Sequence, residues 1–261
     1  MILHNADCLQ IMPTMAEGSV DLILTDLPYG VLDAHWDQRL DLADFMTQAQ
    51  RLLKPNGTMV LFGNEPFATD LRMAWRDGYK YDYIWVKGEG SNFLHAKNMP
   101  LKKHETILVF SKGKINHPTC TRNRMTYNPQ GLLPSGKKER AHKSGDHAGG
   151  RAYDIRGALK DVYQATYIQE YCNYPTSILE FGKEGRPLHT SQKPVDLLEY
   201  LVKTFTNEGE VVLDATMGSG STGVACINTG REFVGIELDP EIYNIAENRI
   251  KSMNADTLKA A

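Results

Sequence analysis

Two short segments, one near each end of the chain, restrict most strongly what it can fold into. The largely apolar residues 20–24 lead into Thr25-Asp26-Leu27-Pro28-Tyr29-Gly30. The apolar residues 211–213 lead into Asp214-Ala215-Thr216-Met217-Gly218-Ser219-Gly220-Ser221-Thr222-Gly223. Each has the pattern of a buried strand that runs into a loop at its carboxyl end. In an open α/β sheet, ligands bind along that edge. The first loop offers an acid, a prolyl carbonyl region and an aromatic ring. The second offers glycines, which let backbone approach a ligand closely.

The remaining pattern is α/β. Residues 1–8 predict a short strand followed by a turn or helix start. A helix is predicted over 40–53, with Leu42, Phe45, Met46, Ala49, Leu52 and Leu53 on one side. Lys54-Pro55-Asn56-Gly57 is expected to stop it. A strand follows over 58–62, then a helix opened by Pro66 and ended by Gly78. Residues 81–86 and 106–110 are β-branched and aromatic, hence strand-like. Regular alternation returns after Ser177: helix 194–205, strand 211–213, helix 221–228 ended near Gly230, and strand 232–238. Asp239-Pro240 supplies an N-cap and first turn for a helix through Ile250. No internal repeat is visible. The expected organisation is a catalytic half over 1–110, an insertion over 111–175 and a cofactor-binding half over 176–261.

The insertion has weak periodicity and is rich in Gly, Lys, Arg, Asn and His. Its stretch 135–157 is the loosest part and is expected to form a mobile loop. Disorder without function competes with a recognition role there. Charge favours recognition. The chain as a whole carries −3, but residues 97–160 hold 14 Lys/Arg against 4 Asp/Glu, a local +10, leaving −13 elsewhere. A basic middle within an acidic chain is the footprint of a phosphate-facing surface, with a solvated lysine-rich loop as the plainer alternative.

Other classes are disfavoured. No basic apolar leader and no long uncharged apolar stretch is present, so neither secretion nor membrane spanning is expected. Cys8, Cys120, Cys172 and Cys226 form no CxxC pair and no zinc-ligand spacing. Reduced thiols in a cytoplasm and no metal site are therefore expected. No Pro-Cys pair is present to attack a pyrimidine ring.

The residue types of the first loop suit methylation of an exocyclic amino group. Such a nitrogen is a poor nucleophile because its lone pair is delocalised into the ring. A site that accepts hydrogen bonds from both N–H groups favours a pyramidal nitrogen with that pair released. Asp26 supplies one acceptor, and the carbonyl of Leu27 or Pro28 another, steadied by the restricted φ of proline. Tyr29 can stack on a base taken out of the duplex. Asp26 need not be a strong base; orientation and stabilisation of developing positive charge suffice. A plain strand-end turn is the competing reading of this segment taken alone.

The second loop lacks the lysine of a P-loop and the full dinucleotide-binding pattern. Glu237 ends the next predicted strand, where a ribose-binding carboxylate belongs. Such an acid serves S-adenosylmethionine as well as NAD. His189-Thr190-Ser191-Gln192-Lys193-Pro194 precedes a helix, and its polar groups suit a carboxylate such as the methionine end of that donor; an ordinary cap competes. Asp7, at the first strand end, could accept from an adenine amino group, although alone it reads as a turn residue.

Together these segments, in this order, resemble the permuted β-class, amino-methylating (N6-adenine/N4-cytosine) DNA methyltransferases. The resemblance covers nearly the whole chain outside the basic insertion. Residues through Asp7-Cys8 resemble the family's third cofactor motif, and Thr25 to Gly30 its catalytic motif. Tyr83-Ile84-Trp85-Val86-Lys87 resembles the strand motif that follows. His104-Glu105-Thr106-Ile107-Leu108-Val109-Phe110 resembles the segment near the target base. Thr190 to Pro194 resembles the TxKP-type motif, and Asp214 to Gly223 the DPFxGSGTT-type loop. The implied fold is a doubly wound, mostly parallel sheet of the S-adenosylmethionine-dependent methyltransferase type, circularly permuted, with one antiparallel strand and an inserted target-recognition region. The implied catalytic residues are Asp26, Pro28 and Tyr29. The implied cofactor residues are Asp7, Thr190, Ser191, Lys193, Asp214, Met217, Gly218, Gly220 and Glu237, with S-adenosylmethionine as cofactor.

Two departures stand out. Leu27 replaces the first proline of DPPY but keeps its carbonyl, so activity is expected. Ala215-Thr216 replaces the usual Pro-Phe, which is expected to weaken but not abolish cofactor affinity. Asp at the first catalytic position is commoner among adenine-N6 enzymes, which favours adenine N6 over cytosine N4. An inactive DNA-binding relative and a nicotinamide-dependent oxidoreductase are the other readings; each leaves one set of motifs unused. The implied partner is double-stranded DNA, with no membrane, in the cytoplasm of a bacterial or phage-infected cell. The resemblance admits a homodimer, and any restriction nuclease would be a separate protein. Arg122, Arg124, Lys137, Lys138 and Arg140 are candidate DNA contacts. His104 is another, with a buried structural histidine as its competing reading.

Overall fold

The computed structural model describes residues 1–28, 40–91, 93–115, 122–140, 167–182 and 192–260, with backbone alone at 89, 137–140, 167–168 and 254–260. In chain order the strands are β1 (Ile2–Asn5), β2 (Val20–Thr25), β3 (Leu53–Gly63), β4 (Tyr79–Ser91), β5 (Lys102–Ser111), β6 (Leu133–Arg140), β7 (Tyr167–Cys172), β8 (Ile178–Glu180), β9 (Val211–Asp214) and β10 (Glu232–Glu237). The helices are α1 (Cys8–Ile11), α2 (Leu42–Leu52), α3 (Phe67–Ala74), α4 (Val195–Phe205), α5 (Ser221–Thr229) and α6 (Pro240–Ala260).

Two compact units emerge: Met1–Asn128 with Thr176–Ala261, and Pro129–Pro175. The larger is built on one sheet in the order β1-β10-β9-β2-β3-β5-β4-β8. Its neighbours run parallel except that β5 is antiparallel to both β3 and β4. Side chains alternate across the sheet, as strand geometry requires. Leu22, Leu24, Val60, Phe62, Ile107 and Val109 face the layer of α4, α5 and α6. Ile23, Met59, Leu61, Leu108 and Phe110 face α1, α2 and α3. Because both faces are covered, the central strands read as continuous apolar runs. This is the doubly wound, mostly parallel sheet expected from the sequence.

Local chemistry sets the element ends. Asp41 caps α2 by accepting from the amides of Ala43 and Asp44, both at 3.0 Å. The helix buries Phe45, Met46, Ala49 and Leu52, the side its spacing predicts. The helix stops at Leu52, as the stop at Lys54 to Gly57 predicts, but those residues belong to the strand instead of preceding it. The chain turns extended at Leu53, and β3 carries these residues as a bulge between the pairs Val20↔Leu53 and Leu22↔Thr58. Pro55 disfavours helical backbone at Lys54, whose ammonium instead donates to Asp21 Oδ2 at 2.7 Å. α3 ends at Ala74, short of Gly78, which lies in a 3-10 turn. A Cβ on Gly78 would lie 2.1 Å from the Trp75 ring, and that ring stacks on Phe110 at 6.0 Å. β4 and β5 run further than predicted because their ladder continues through polar residues beyond the core.

Residues up to Asn128 belong to the larger unit: Thr126 donates its amide to Asn56 O at 3.1 Å, and Asn128 Nδ2 donates to Thr206 O at 3.0 Å. The smaller unit spans Pro129–Pro175. It is an antiparallel ribbon of β6 and β7, pairing Leu133 with Cys172 and Lys138 with Gln169. Residues 135–140, expected to be loop, are strand; the rest of the loose stretch lies outside the described residues. Among the described residues no helix is long and apolar enough to cross a membrane. No group of three His, Cys, Asp or Glu among them could hold a metal ion.

Candidate active site

β9 continues into α5 on one face of the sheet, whereas β2 continues toward α2 on the other. The two strands are neighbours, paired at Leu22↔Val212 and Ile23↔Leu213. Their carboxyl ends thus flank the switch point of the sheet, where crevices form in this architecture. Asp26 follows β2 and Asp214 ends β9, so both predicted acids stand at this crevice.

Thr216 ties the two loops together. Its hydroxyl donates to the backbone carbonyl of Asp26 at 3.0 Å and lies 2.7 Å from the Thr25 hydroxyl. Its amide donates to Asp214 Oδ1 at 3.2 Å, while Thr222 Oγ1 donates to Asp214 Oδ2 at 2.6 Å. Burial pushes the Asp214 carboxyl up to about 6 against the opposing pull of these hydrogen bonds. The departure Ala215-Thr216 therefore adds a clamp between the two halves of the site. The departure Leu27 is equally local: its side chain is buried in the core beside α1 and α2. Pro28 is half-buried, and Tyr29 lies outside the described residues.

Lys193 Nζ donates to Asp26 Oδ2. On its other side lies Glu105 Oε1 at 3.6 Å, and Glu105 Oε2 is paired with Lys87 Nζ at 2.6 Å. The result is an alternating row, Asp26, Lys193, Glu105, Lys87, running from the end of β2 across β5 to β4. Lys193 also sits 4.8 Å from the centre of the Phe62 ring, and Lys87 4.9 Å from that of Trp85. Burial would drive the Lys193 pKa down, but Asp26 and Glu105 together hold it above the ordinary lysine value. The motif of Lys193 points to the cofactor; in the structure its ammonium contacts the Asp26 carboxylate. Glu105 was not singled out as a site residue. Its signal was the period-two face it shares with Ile107 and Val109, which puts a carboxylate on a buried side.

The glycine loop is held on the neighbouring strand. Met217 is buried and donates its amide to Ile236 O at 2.9 Å. Gly218 and Gly220 have φ of +51° and +79°, which favour glycine. A Cβ on Gly218 would meet nothing within 4 Å, whereas one on Gly220 would press on Ala246 and Ile250 of α6 at 3.0–3.2 Å. Glu237 Oε2 accepts from the Gly218 amide at 2.9 Å and Oε1 from the Asp239 amide at 3.0 Å. Burial raises its carboxyl pKa, while these amides oppose the rise. Asp7 stands beside it, since Asn5 pairs with Glu237 and Asp7 Oδ1 caps α1 through the Leu9 amide at 2.9 Å. Gln192 joins this loop by accepting from Ser219 Oγ at 3.1 Å. Thr190 and Ser191 lie outside the described residues.

The candidate DNA contacts are divided between the two units. His104 is exposed on β5, so it is not a buried structural histidine, and Arg122 is exposed in the same unit, with Arg124 partly covered. Lys137, Lys138 and Arg140 lie on β6 of the smaller unit, where only the backbone is described.

Comparison with known proteins agrees with this layout. The N6_N4_Mtase family profile, described as DNA methylase, matches residues 20–248. The type II methyltransferase M.HpaI of Haemophilus parainfluenzae is 26% identical over 97% of this chain and 74% of its own length. The DNA adenine methyltransferase YhdJ of Escherichia coli K12 is 28% identical over 95% of this chain and 82% of its own. A crystal structure of an M1.HpyAVI–SAM complex superposes with a TM-score of 0.61 at 24% identity, covering 95% of this chain and 98% of that one. By a profile match that spans most of its length, with the catalytic strand ahead of the glycine loop in sequence and beside it in space, the chain belongs to the N6/N4 DNA methylase family.

Proposed function

We propose that this protein transfers a methyl group from S-adenosylmethionine to the N6 amino group of an adenine extruded from double-stranded DNA. The observation that carries the proposal is Asp26, fixed at the switch point by Lys193 on its carboxylate and Thr216 on its carbonyl, one strand from the glycine loop. One relative, YhdJ, is named as a DNA adenine methyltransferase, which supports the choice of base.

The residues present fit the methyl donor. Glu237 is a carboxylate at the strand end with two ordered amides behind it, suited to ribose hydroxyls. The space over Gly218 leaves room for a ligand against backbone. Asp7 is an acceptor suited to an adenine amino group, and Thr190 with Ser191 would serve the methionine carboxylate. Bound there, the donor supplies an electrophilic methyl group on a sulfonium.

The chain's own groups do the rest. Asp26 accepts one N–H of the target amino group, and the Leu27 or Pro28 carbonyl accepts the other, which frees the lone pair. Tyr29 stacks on the extruded base. Lys193 fixes the direction of the Asp26 carboxylate, and Glu105 balances the charge of Lys193, so the row stays neutral overall. As the nitrogen gains a methyl group and positive charge, Asp26 stabilises that charge and takes up the departing proton or passes it to water. Arg122 and Arg124 of the larger unit, and Lys137, Lys138 and Arg140 of the smaller one, are the basic residues offered to DNA. The setting is the cytoplasm, and a homodimer is compatible with it.

Incubation with unmethylated genomic DNA and S-adenosylmethionine, then nucleoside mass spectrometry, tests the proposal. N6-methyladenine is expected, and Asp26→Ala should abolish it while donor binding persists. N4-methylcytosine would overturn the choice of base; no methylated base would overturn the reaction.

A further inference from the structure

The connection between β4 and β5 is not used by the chemistry above, yet it has an unusual surface. Phe93 is 79% exposed and Leu94 95% exposed, and Met99 and Leu101 are exposed as well. Large apolar side chains displayed together mark a contact site rather than chance exposure. Residues 93–99 of the tip are tied by backbone hydrogen bonds. Ala96 donates to Phe93 O at 3.0 Å, and Asn98 and Met99 donate to His95 O at 2.8 and 3.0 Å. Its neck is closed by the ladder pair Ser91↔Lys102, with Ser91 Oγ donating to Lys102 O at 3.1 Å. A Cβ on Gly90 would lie 2.9 Å from Leu101 Cβ, so Leu101 lies flat over the Gly90 backbone. This small built scaffold holds Phe93 and Leu94 outward.

Position and charge say what meets them. β4 runs parallel to β2, because β5 is antiparallel to both β3 and β4. The tip therefore rises from the same sheet edge as Asp26. Thr25 is level with Leu61, and Leu61 with Leu108; from there β5 extends to Lys102, roughly 20 Å beyond that level at the usual rise per residue. The lateral offset from β2 is three strand spacings, roughly 14 Å. From Phe93 through His104 there is no acid, while Lys97, Lys102, Lys103, His95 and His104 are all present. An apolar point with three lysines close by in sequence and no acid among them matches a duplex: phosphates outside, stacked bases within.

We propose that Phe93 and Leu94 form a wedge that enters the base stack of the DNA next to the target adenine and offsets the loss of stacking when that base leaves. The inference rests on the reaction proposed above. Unstacking a step is costly, and inserted apolar side chains are a general means of offsetting it. A mismatched target base needs less of this help, because it is already partly unpaired.

The test uses full-length Phe93→Ala/Leu94→Ala protein and a duplex bearing a site mapped from genomic DNA methylated by the wild type. A second duplex has the target adenine mismatched. The variant should lose roughly 10- to 100-fold in kcat/KM on the paired duplex. It should come within about threefold of wild type on the mismatched one, since little wedge action is then required. Melting and S-adenosylmethionine binding should be unchanged, because both side chains project from the surface. Equal losses on the two duplexes would overturn the wedge. So would unchanged methylation together with an altered sedimentation coefficient, which would assign the tip to a second copy of the chain. A wild type that methylates no DNA would overturn the reaction, and the wedge with it.

Discussion

At the scale of single residues, Lys193 has the most to answer. Two chemistries compete for its ammonium: a cofactor carboxylate, as its motif suggests, and the Asp26 carboxylate that it contacts. They separate in kinetics. Lys193→Gln should lower kcat roughly 100-fold, the scale for losing one oriented donor in a preorganised site, with calorimetric affinity for S-adenosylmethionine nearly intact. A large loss of donor affinity at unchanged kcat would return Lys193 to the cofactor. Asp214 offers a second reading through pH. Its carboxyl is raised to about 6 from an ordinary 3.8, so the folded state holds a proton that the unfolded state has already lost. Its contribution is fully present below pH 4 and is lost as pH rises through about 6. The stability of wild type minus that of Asp214→Asn should therefore fall by about 2 kcal/mol between pH 4 and pH 7. Denaturant titrations at the two pH values check this, and a constant difference would contradict it.

At the scale of elements, what could be foreseen had a local cause. The strand ends at Asp26, Asp214 and Glu237 were legible because a buried strand is a run of apolar residues and its exit is punctuated by Pro or Gly. α2 was legible from its apolar side, and α5 from the glycines around it. The bulge of β3 was not, because Lys54, Pro55, Asn56 and Gly57 look like any turn. Only pairing with β2 on either side of them makes them part of a strand. The row from Asp26 to Lys87 was hidden for the same reason: its members come from four separate segments, and nothing local records their meeting. Close packing also gives Gly78 a role beyond ending a helix. Gly78→Ala would force the Trp75 ring off Phe110. A loss of about 1–3 kcal/mol is expected, the usual penalty for overpacking, read as a lower denaturant midpoint at unchanged slope. An unchanged midpoint would mean that Trp75 can shift freely.

For the molecule as a whole, the uneven distribution of charge is the dominant fact. A net −3 conceals a middle of +10 set within −13. Affinity for DNA should fall steeply with salt, and log K against log salt should lose about 0.9 of slope for each phosphate contact removed. Lys137→Glu/Lys138→Glu should flatten the slope by about 2 if both residues meet phosphate. Unchanged slope would remove β6 from the DNA-facing surface. The same segregation is why the distribution of charge along the chain, and not its net value, carries the expectation of a DNA-facing surface.

The seam between β2 and β9 is thin, with a ladder of Leu22↔Val212 and Ile23↔Leu213. A side chain braces it at either end: Asp21 Oδ2 accepts the Val211 amide at 3.0 Å, and Thr216 reaches the Asp26 carbonyl at 3.0 Å. Sliding one strand by a residue, roughly 3.3 Å, would break both braces and turn Leu22 and Ile23 to the wrong faces. Misalignment between the acid and the glycine loop is therefore quantised. The two are in step or a whole residue out, with no shallow continuum between, and a catalytic distance that must be right to a fraction of an ångström inherits its accuracy from that discreteness.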